Sequence, residues 1–456
     1  MILSKILEFG ERFALLTNPG SAIYLFNKMP PSVFLGMQRL RFRESLALAS
    51  KSAFYSEQFR KRKIDIRTIN HPAELGDFFT TSDDLREYGS DAFLVGKADT
   101  AFETTGTTSS ATKQIFFSNR ELNEMGRVSA LGLYQIGLRK EDVVLSAFDV
   151  SFWVSPAVVR TAFQYLGCFH AEAGKIAPLE FYERARRYRP TVILGEPSWL
   201  VRLSEIADAR GIWPMKFILA GGEGLAEETR KEVERIWKAP FHLNYGQTES
   251  FGVIGVECAE HTGYHRNDLN FFFEIPDANA EGEGELVYTT LTRQVMPLVR
   301  YRSTDVTKLL DEPCKCGLFA KRIGRIKGRI DEMVVCGMGN ISPWVFSELL
   351  RDVAFTSDDW QVRIWHEGRT DVVEIRVESD QFGDLGVHER ISAEIARNLK
   401  EEFPDFQKNL DMCLFDLRVE PVPRGNLRRG RKLRRLLILD EPPKNEISVE
   451  KVYDMV

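Results

Sequence analysis

The sequence predicts an α/β protein of two domains. From about residue 100, short β-branched or aromatic runs alternate with Gly-rich or polar loops and with helices, which is typical of a largely parallel sheet covered by helices. The helices thin out after residues 284–310, and a small α+β unit is expected to begin near residue 328. A chain of 456 residues with 43% hydrophobic residues can bury more than one core. We therefore expect an N-terminal domain over residues 1–328 and a C-terminal domain over residues 329–456.

Each predicted element rests on a local pattern. Residues 37–62 place apolar side chains at helical spacing and predict an opening helix that packs on the large domain. Strands are predicted in the runs DVVLSAFDV, PTVILGEPSWL, MKFILAGGEGL and FHLNYGQTES, and residues 225–239 form the clearest helix among them. In the small unit, DVVEIRVES predicts a strand and GVHERISAEIARNLKEEF a helix. Ligands gather at the carboxyl ends of parallel strands, so a site is expected in the loops after these runs.

Composition narrows the class of protein. The chain has 61 basic and 66 acidic residues and a net charge of -5, which argues against a surface that grips nucleic acid. Six scattered cysteines do not suggest a secreted disulfide scaffold, and neither a signal-peptide pattern nor a membrane span is evident. We expect a cytoplasmic monomer or homodimer that acts on small molecules, with no nucleic-acid or membrane partner.

A hydroxyl-rich loop joins two extended flanks in residues 101–118, AFETTGTTSSATKQIFFS. The absence of a following helix excludes a Walker-type phosphate loop. A strand-turn-strand loop can still bind polyphosphate, because Gly106 permits close backbone approach while hydroxyls and main-chain N–H groups donate to phosphate oxygens. Taken alone, the loop is more simply explained as a solvated hairpin.

Four further motifs follow in order: YGQTES (245–250), RYRSTD (300–305), GRIKGRIDEMVVCGMGNISP (324–343) and GNLRRGRKLRR (425–435). Together with the loop they resemble the ordered motifs of the adenylate-forming acyl and aryl ligases, and within them the phenylacetate-CoA ligase and coenzyme F390 synthetase branch. The resemblance covers the chain from about residue 40 to residue 440. It implies an α/β fold with a large N-terminal adenylate-forming domain of mixed or parallel sheets and a small mobile α+β C-terminal domain.

The resemblance also implies an activity. Such ligases let a substrate carboxylate attack the α-phosphate of ATP, which releases pyrophosphate and leaves an acyl-AMP. Coenzyme A is the default acceptor of the acyl group, whereas relatives use an amine, a protein thiol or, in diazotisation, nitrite. A catalytically impaired homologue that only binds is the alternative from a different functional class.

By the same resemblance, most site residues have a role in handling ATP and Mg²⁺. Glu249 would help to hold Mg²⁺, and Thr248 would lie beside the α-phosphate. Asp331 takes the hinge position between the domains. The remaining nucleotide contacts are expected from the phosphate loop (Thr105, Gly106, Thr107, Thr108, Ser109), the adenine loop (Gly221, Gly222, Glu223), Tyr245 and Gly246 beside the adenine, and Asp305 and Arg329 at the ribose.

Two motifs depart from the family pattern. The catalytic lysine is expected directly after a glycine, but Gly430 is followed by Arg431 and only then by Lys432. We assign the catalytic role to Lys432 and keep Arg431, or catalysis without a lysine, as the alternatives. In the phosphate loop, Ser109-Ser110-Ala111 replaces the usual Gly-x-Pro, which leaves the effect on nucleotide handling open.

A second constellation suggests a metal. Cys258, His261, Cys314 and Cys316 combine thiolates with an imidazole, a donor set that suits tetrahedral Zn²⁺. We expect a structural zinc site with these ligands, with His265 as the rival for the fourth position. Ordinary reduced cysteines are the alternative.

Aromatic residues occupy the region that lines the acyl pocket in relatives. Phe148, Phe152 and Trp153 predict a pocket for a flat aryl acid, although the same side chains could equally serve core packing.

Overall fold

The computed structural model describes residues 18–104, 113–225, 227–251, 253–318, 320–330, 334–357, 359–427 and 435–443. The helices are α1 (Pro19–Lys28), α2 (Pro31–Ala49), α3 (Ala53–Lys61), α4 (Ser82–Glu87), α5 (Asn119–Gln135), α6 (Ser155–Leu166), α7 (Pro178–Tyr188), α8 (Pro197–Arg210), α9 (Glu227–Trp237), α10 (Pro343–Leu349), α11 (Leu385–Glu402) and α12 (Pro404–Asp411). None of them is both long and apolar enough to cross a bilayer.

The strands form one large sheet, a small sheet and two hairpins. They are β1 (Thr100–Thr104), β2 (Lys113–Phe117), β3 (Val143–Ser146), β4 (Phe169–Glu172), β5 (Val192–Gly195), β6 (Phe217–Gly221), β7 (Phe241–Tyr245), β8 (Gly255–Glu257), β9 (Tyr264–Arg266), β10 (Phe271–Glu274), β11 (Glu283–Thr290), β12 (Tyr301–Leu310), β13 (Arg322–Ile323), β14 (Gly328–Arg329), β15 (Val334–Cys336), β16 (Gly339–Ile341), β17 (Trp360–Glu367), β18 (Thr370–Glu378), β19 (Phe415–Val422) and β20 (Leu436–Ile438).

The large sheet runs in the order β10-β11-β12-β13-β9-β8-β7-β6-β5-β3-β4, with β14 paired to β12. Strands β4, β3, β5, β6 and β7 are parallel, whereas every pairing from β7 to β10 is antiparallel. Strands β5 and β6 are buried along their whole length, as expected where helices cover both faces of a parallel sheet. The predicted α/β class is confirmed, with a mixed large sheet.

The opening helical region consists of two helices where the sequence predicts one. Ser52 accepts a hydrogen bond from the backbone N–H of Tyr55 and so caps a new helix, α3, after α2 has ended at Ala49. Phe54 and Tyr55 then turn inward and pack on the core of the large unit. The continuous prediction over residues 37–62 was therefore wrong at this break.

Strands β1 and β2 form the predicted hairpin around the hydroxyl-rich loop. They pair antiparallel from Thr100 opposite Phe117 to Thr104 opposite Lys113. Helix α5 follows directly and begins with a capping box, in which Ser118 and Glu121 each bond the other's backbone N–H. The loop itself, residues 105–112, lies outside the described residues.

A smaller unit follows residue 334. Its sheet has the order β19-β18-β17-β20, and α11 packs Ile391, Ile395 and Leu399 into a core that spans Cys336 to Phe415. Because β14 still pairs with β12, residues 328 and 329 remain attached to the large sheet. The division of the chain at residues 328/329 stays a prediction.

The two units contact each other through charged and apolar side chains. Arg369, in the turn between β17 and β18, donates from Nε to Oε2 of Glu232 on α9 across 2.9 Å, and its Nη1 lies 3.7 Å from Oε1 of Glu205 on α8. Nearby, Leu414 packs into the core beneath α8 and α9. These contacts hold the small unit over the carboxyl-terminal edge of the parallel strands.

Candidate active site

A cavity of about 970 Å³ lies at the ends of β6 and β7, beneath the small unit. Side chains of the large unit form most of its wall, and Val334, Val335 and β20 close the other side. Among the predicted site residues, those that line the cavity are Phe148, Trp153, Gly221, Gly222, Glu223, Tyr245, Gly246, Thr248, Glu249, Asp305 and Arg329. The structure therefore brings together residues that are spread from position 148 to position 329 of the sequence.

Three groups of predicted residues lie outside the described part of the chain. They are the phosphate loop with Thr105, Gly106, Thr107, Thr108 and Ser109, the hinge residue Asp331, and the pair Arg431 and Lys432. The described residues next to two of these groups line the cavity: Thr104 and Lys113 flank the phosphate loop, and Arg435 follows the basic segment.

Asp305 is held in a polar network on β12. Its Oδ2 accepts hydrogen bonds from the Tyr245 hydroxyl at 2.6 Å and from Nε2 of Gln247 at 2.8 Å. Nη1 of Arg329 lies 3.4 Å from Oδ1. Asp305 is buried, and burial together with Asp305 raises the pKa of Tyr245 well above its ordinary value, so the phenol remains a donor.

Glu249 is buried beside a lysine that the sequence analysis did not single out. Its Oε1 lies 2.5 Å from Nζ of Lys113 and accepts a hydrogen bond from the Tyr301 hydroxyl at 2.9 Å. Burial favours the neutral acid, but the Lys113 ammonium outweighs burial and holds the pKa of Glu249 below its ordinary value. The side chain is therefore a carboxylate, the form that can bind a cation.

The predicted adenine loop begins where β6 ends. Gly222 has φ +96°, a conformation that favours glycine, and so lets the chain turn sharply into the cavity. Both oxygens of Glu223 accept hydrogen bonds from Ser198, one from the backbone N–H at 3.0 Å and one from Oγ at 3.1 Å. Burial and the neighbouring Glu196 raise the pKa of Glu223 to about 8. The loop is thus tied to the start of α8.

One end of the cavity is apolar. Phe148 and Trp153 line it together with aliphatic residues of α5, α6 and the parallel strands, namely Leu133, Val158, Val159, Ala162, Leu194 and Leu219. Phe152, the third predicted pocket residue, is 69% exposed and does not belong to the lining. Its assignment to the pocket was wrong: in the irregular segment between β3 and α6, Phe152 is exposed to solvent, whereas Phe148 and Trp153 line the cavity.

The cysteine cluster forms with one exchanged ligand. Cys258, Cys314, Cys316 and His265 place their ligand atoms within 4.8 Å of one another. His265 lies 2.7 Å through Nδ1 from the backbone oxygen of Ala320, which leaves Nε2 for the cluster, at 3.2 Å from the Cys316 sulfur. Three thiols and one imidazole suit tetrahedral Zn²⁺.

His261, the predicted fourth ligand, is directed elsewhere. It lies in the turn between β8 and β9 with φ +49°, its Nδ1 is 3.4 Å from Oε2 of Glu257, and its ring stacks on His242. The prediction of His261 is therefore corrected to His265, which β9 carries back to the cysteines. The signal in the sequence was the Cys-x2-His spacing, and it selected the nearer but wrong histidine.

Comparison with known proteins shows which enzymes the chain resembles. No protein-family model matches the chain. It is 28% identical over 386 residues to the phenylacetate-coenzyme A ligase of Thermus thermophilus, covering 79% of this chain and 86% of the relative. It is 26% identical over 341 residues to the phenylacetate-coenzyme A ligase of Pseudomonas putida, covering 71% and 76%. These similarities support the predicted resemblance to the adenylate-forming enzymes, in their phenylacetate-CoA ligase-like branch.

Solved structures of the superfamily share the fold. A 2-hydroxyisobutyryl-CoA ligase in complex with 2-HIB-AMP and CoA matches with a TM-score of 0.71 at 19% identity, covering 93% of this chain and 92% of that one. An amide bond synthetase from Marinactinospora thermotolerans matches with a TM-score of 0.53 at 16% identity, covering 71% and 65%. The predicted family and fold are both confirmed.

Lys113 and Gln247 are two polar cavity residues that were not predicted as site residues from the sequence. Gln247 lies inside the quoted YGQTES motif, where Nε2 joins the Asp305 carboxylate to the backbone oxygen of Ser303 at 3.0 Å. Lys113 opens the strand KQIFF as its one charged residue, directly after the phosphate loop. A single lysine at the start of the strand after the phosphate loop was the feature of the sequence that could have indicated this residue.

Proposed function

We propose that this protein uses ATP to activate a carboxylic acid as acyl-AMP and then transfers the acyl group to coenzyme A. The observation that carries the proposal is one cavity that is lined by the Gly221–Glu223 loop at the end of β6, by Glu249 after β7 and by Asp305 in the middle of β12. The similarity to phenylacetate-coenzyme A ligases over most of the chain supports the same activity.

The chemistry joins two anions. A carboxylate oxygen attacks the α-phosphorus of ATP, and the bond to the bridging oxygen of pyrophosphate breaks. The thiol of coenzyme A then attacks the acyl carbon and loses its proton, and AMP leaves with the carboxylate-derived oxygen. Because both partners of the first step are negatively charged, the site must orient them and offset their repulsion.

The cavity residues fit the roles that this chemistry requires. The Asp305 carboxylate is an acceptor that can hold ribose hydroxyls, and Arg329 beside it brings a positive charge. Glu249 would hold Mg²⁺, which would neutralise phosphate charge when bound. We also assign the phosphate contacts to Thr248 and the loop of residues 105–109, and the contact with the reacting α-phosphate to Lys432.

The acid is proposed to be aryl or otherwise apolar. Phe148, Trp153 and the aliphatic residues of α5 and α6 line the cavity and favour an apolar group on the substrate. A second carboxylate or an ammonium group on the substrate would lose its hydration beside these apolar side chains.

We propose that the cluster of Cys258, His265, Cys314 and Cys316 binds a structural Zn²⁺. All four ligand positions come from protein side chains, so no open position for a reacting water is implied. The zinc would tie the β8–β9 hairpin to the segment before β13, close to but separate from the cavity.

We further propose that residues 329–456 form a domain that changes its pose between the two half-reactions, with Asp331 at the hinge. In the pose described, the contacts of Arg369 with Glu232 and Glu205 lie near the surface and their energy is small. Such contacts can hold one pose without preventing the exchange to another.

The activity is tested by acid-dependent exchange of labelled pyrophosphate into ATP, measured with aryl, aliphatic and dicarboxylic acids, and by acyl-CoA formation when coenzyme A is added. We expect exchange with apolar monocarboxylic acids, and the thioester after addition of coenzyme A. Exchange without thioester formation would redirect the proposal to another acceptor. Failure of every acid, together with no thermal shift by ATP, would identify an impaired homologue.

A further inference from the structure

We propose that Lys113 is a positioning residue for Glu249: it fixes the carboxylate through Oε1 and leaves Oε2 for the divalent cation that accompanies ATP. The inference rests on the proposed function and adds a residue to the site. The geometry of three side chains on β2, β12 and the loop after β7 carries it.

The two oxygens of Glu249 have different surroundings. Oε1 lies 2.5 Å from Nζ of Lys113 and accepts a hydrogen bond from the Tyr301 hydroxyl at 2.9 Å. The hydrogen bonds from other described side chains all go to Oε1, whereas the residue's own backbone N–H also donates to the carboxylate. Glu249 lines the cavity, so Oε1 is held by neighbouring side chains while no described neighbouring side chain holds Oε2.

Three described side chains surround the Lys113 ammonium. Besides Glu249, it donates to Oγ of Ser82 at 2.8 Å and lies 3.5 Å from the Tyr301 hydroxyl oxygen. A lysine has three N–H donors, so these three contacts use all of them. Lys113 is therefore placed to orient Glu249.

Stability alone does not account for this pair. The side chains of Lys113 and Glu249 are only 10% and 6% exposed, and burial of two charges costs much of what their attraction returns. A buried pair of this kind is more readily explained by a need for one fixed geometry. Lys113 directly follows the loop of residues 105–112 and lies in the cavity wall, where a fixed geometry is required for ligand binding.

The test compares binding of Mn²⁺, used in place of Mg²⁺, in the presence of a non-hydrolysable ATP analogue, with free Mn²⁺ measured by electron paramagnetic resonance. The variants are Lys113→Met, Glu249→Gln and the double variant. Lys216→Met is the matched control, because Lys216 forms an ion pair with Asp142 at 2.8 Å and does not line the cavity. Thermal unfolding reports whether each variant folds.

We expect Lys113→Met to weaken Mn²⁺ binding by about tenfold or more, since charge-assisted hydrogen bonds fix the ligand. In the Glu249→Gln background the same change should cost less than about twofold, because Lys113 acts through Glu249. The Lys216→Met control should bind as the wild type does. If Lys113→Met does not fold, Tyr301→Phe, which removes the other bond to Oε1, should weaken binding by about threefold.

Unchanged or tighter Mn²⁺ binding by Lys113→Met, or an equal loss in the presence and absence of Glu249, would overturn the inference while leaving the proposed function intact. If the folded wild type bound no Mn²⁺ with the nucleotide analogue, the result would contradict both the inference and the metal-dependent function. The wild-type measurement therefore separates the two failures.

Discussion

The hydroxyl of Tyr245 donates a 2.6 Å hydrogen bond to Oδ2 of Asp305, joining the end of β7 to the middle of β12. The two strands are not neighbours in the sheet, so this bond bridges the cavity wall across β8, β9 and β13. It fixes the carboxylate to which we assign the ribose of ATP.

Replacement of Asp305 by Asn should weaken ATP binding. If the carboxylate accepts bonds from ribose hydroxyls, the KM for ATP should rise by about tenfold to a hundredfold, because bonds to charged groups contribute about 1.5–3 kcal/mol. ATP and 2′-deoxy-ATP should be compared by pyrophosphate exchange. The wild type should discriminate between them more strongly than Asp305→Asn does.

Tyr245→Phe is the matched control for that measurement, since it keeps the aromatic ring and the carboxylate and removes one donor to Oδ2. We expect it to change the KM for ATP by less than about fivefold. Equal discrimination against 2′-deoxy-ATP by the wild type and Asp305→Asn would show that Asp305 does not hold the ribose.

His265→Ala should abolish zinc binding, whereas His261→Ala should not. The structure places Nε2 of His265 at 3.2 Å from the Cys316 sulfur, and directs His261 to Glu257. Elemental analysis of the purified proteins is the measurement, with Cys314→Ser as a second ligand variant. Loss of zinc should also lower the unfolding temperature, because metal that binds only the folded state stabilises it.

Retention of zinc by His265→Ala, or its loss from His261→Ala alone, would restore the ligand set suggested by the Cys-x2-His spacing. A metal-free wild type purified without chelator would favour ordinary reduced cysteines.

Charge reversal of Arg369 should loosen the contact between the two units. Arg369→Glu would face Glu232 and Glu205 with a like charge, so the small unit should spend less time in the pose described. Small-angle X-ray scattering should then show a larger radius of gyration. Arg418→Glu is the control, since Arg418 pairs with Glu367 and Asp416 inside the small unit. Identical scattering from both variants would mean that Arg369 does not hold the pose.

Glu223 should make stability fall as the pH rises from about 5 to about 8. Burial and Glu196 raise the pKa of Glu223 to about 8 from 4.5, so the folded protein retains a proton that the unfolded chain releases in this range. The free energy of unfolding therefore decreases with pH on account of this group. Glu223→Gln cannot ionise and should lose this contribution.

The measurement is the unfolding temperature of the wild type and Glu223→Gln over that pH range. The unfolding temperature of Glu223→Gln should rise relative to that of the wild type as the pH rises, and the same exchange at the exposed Glu389 controls for the substitution itself. A constant difference for Glu223→Gln would contradict the raised pKa.

Local patterns predicted much of the fold. The two extended flanks of the hydroxyl-rich loop are β1 and β2, and residues 225–239 contain α9 (Glu227–Trp237). Such elements depend on periodicity and turn chemistry within a short window. The break between α2 and α3 depends on the Ser52 cap and on the inward packing of Tyr55, and the apolar spacing of residues 37–62 does not reveal it.

The site residues that lie in the ordered motifs could be predicted from the sequence. The site residues that meet through strand pairing could not. His265 reaches the cysteines because β9 pairs with β13, opposite Arg322, whereas His261 is nearer to Cys258 in sequence. Lys113 meets Glu249 across 136 positions of the chain. Contacts between residues so far apart in the sequence follow from the order of the strands in the sheet. The spacing of the motifs does not reveal that order.

The central claim, that a carboxylate oxygen attacks the α-phosphate of ATP, is tested by one measurement of isotope transfer. The protein, ATP, Mg²⁺, coenzyme A and an accepted acid labelled with ¹⁸O in its carboxylate are allowed to react, and the AMP is analysed by mass spectrometry. Our account predicts AMP that carries one labelled oxygen, together with unlabelled pyrophosphate. ADP with labelled phosphate, or AMP without the label, would contradict it.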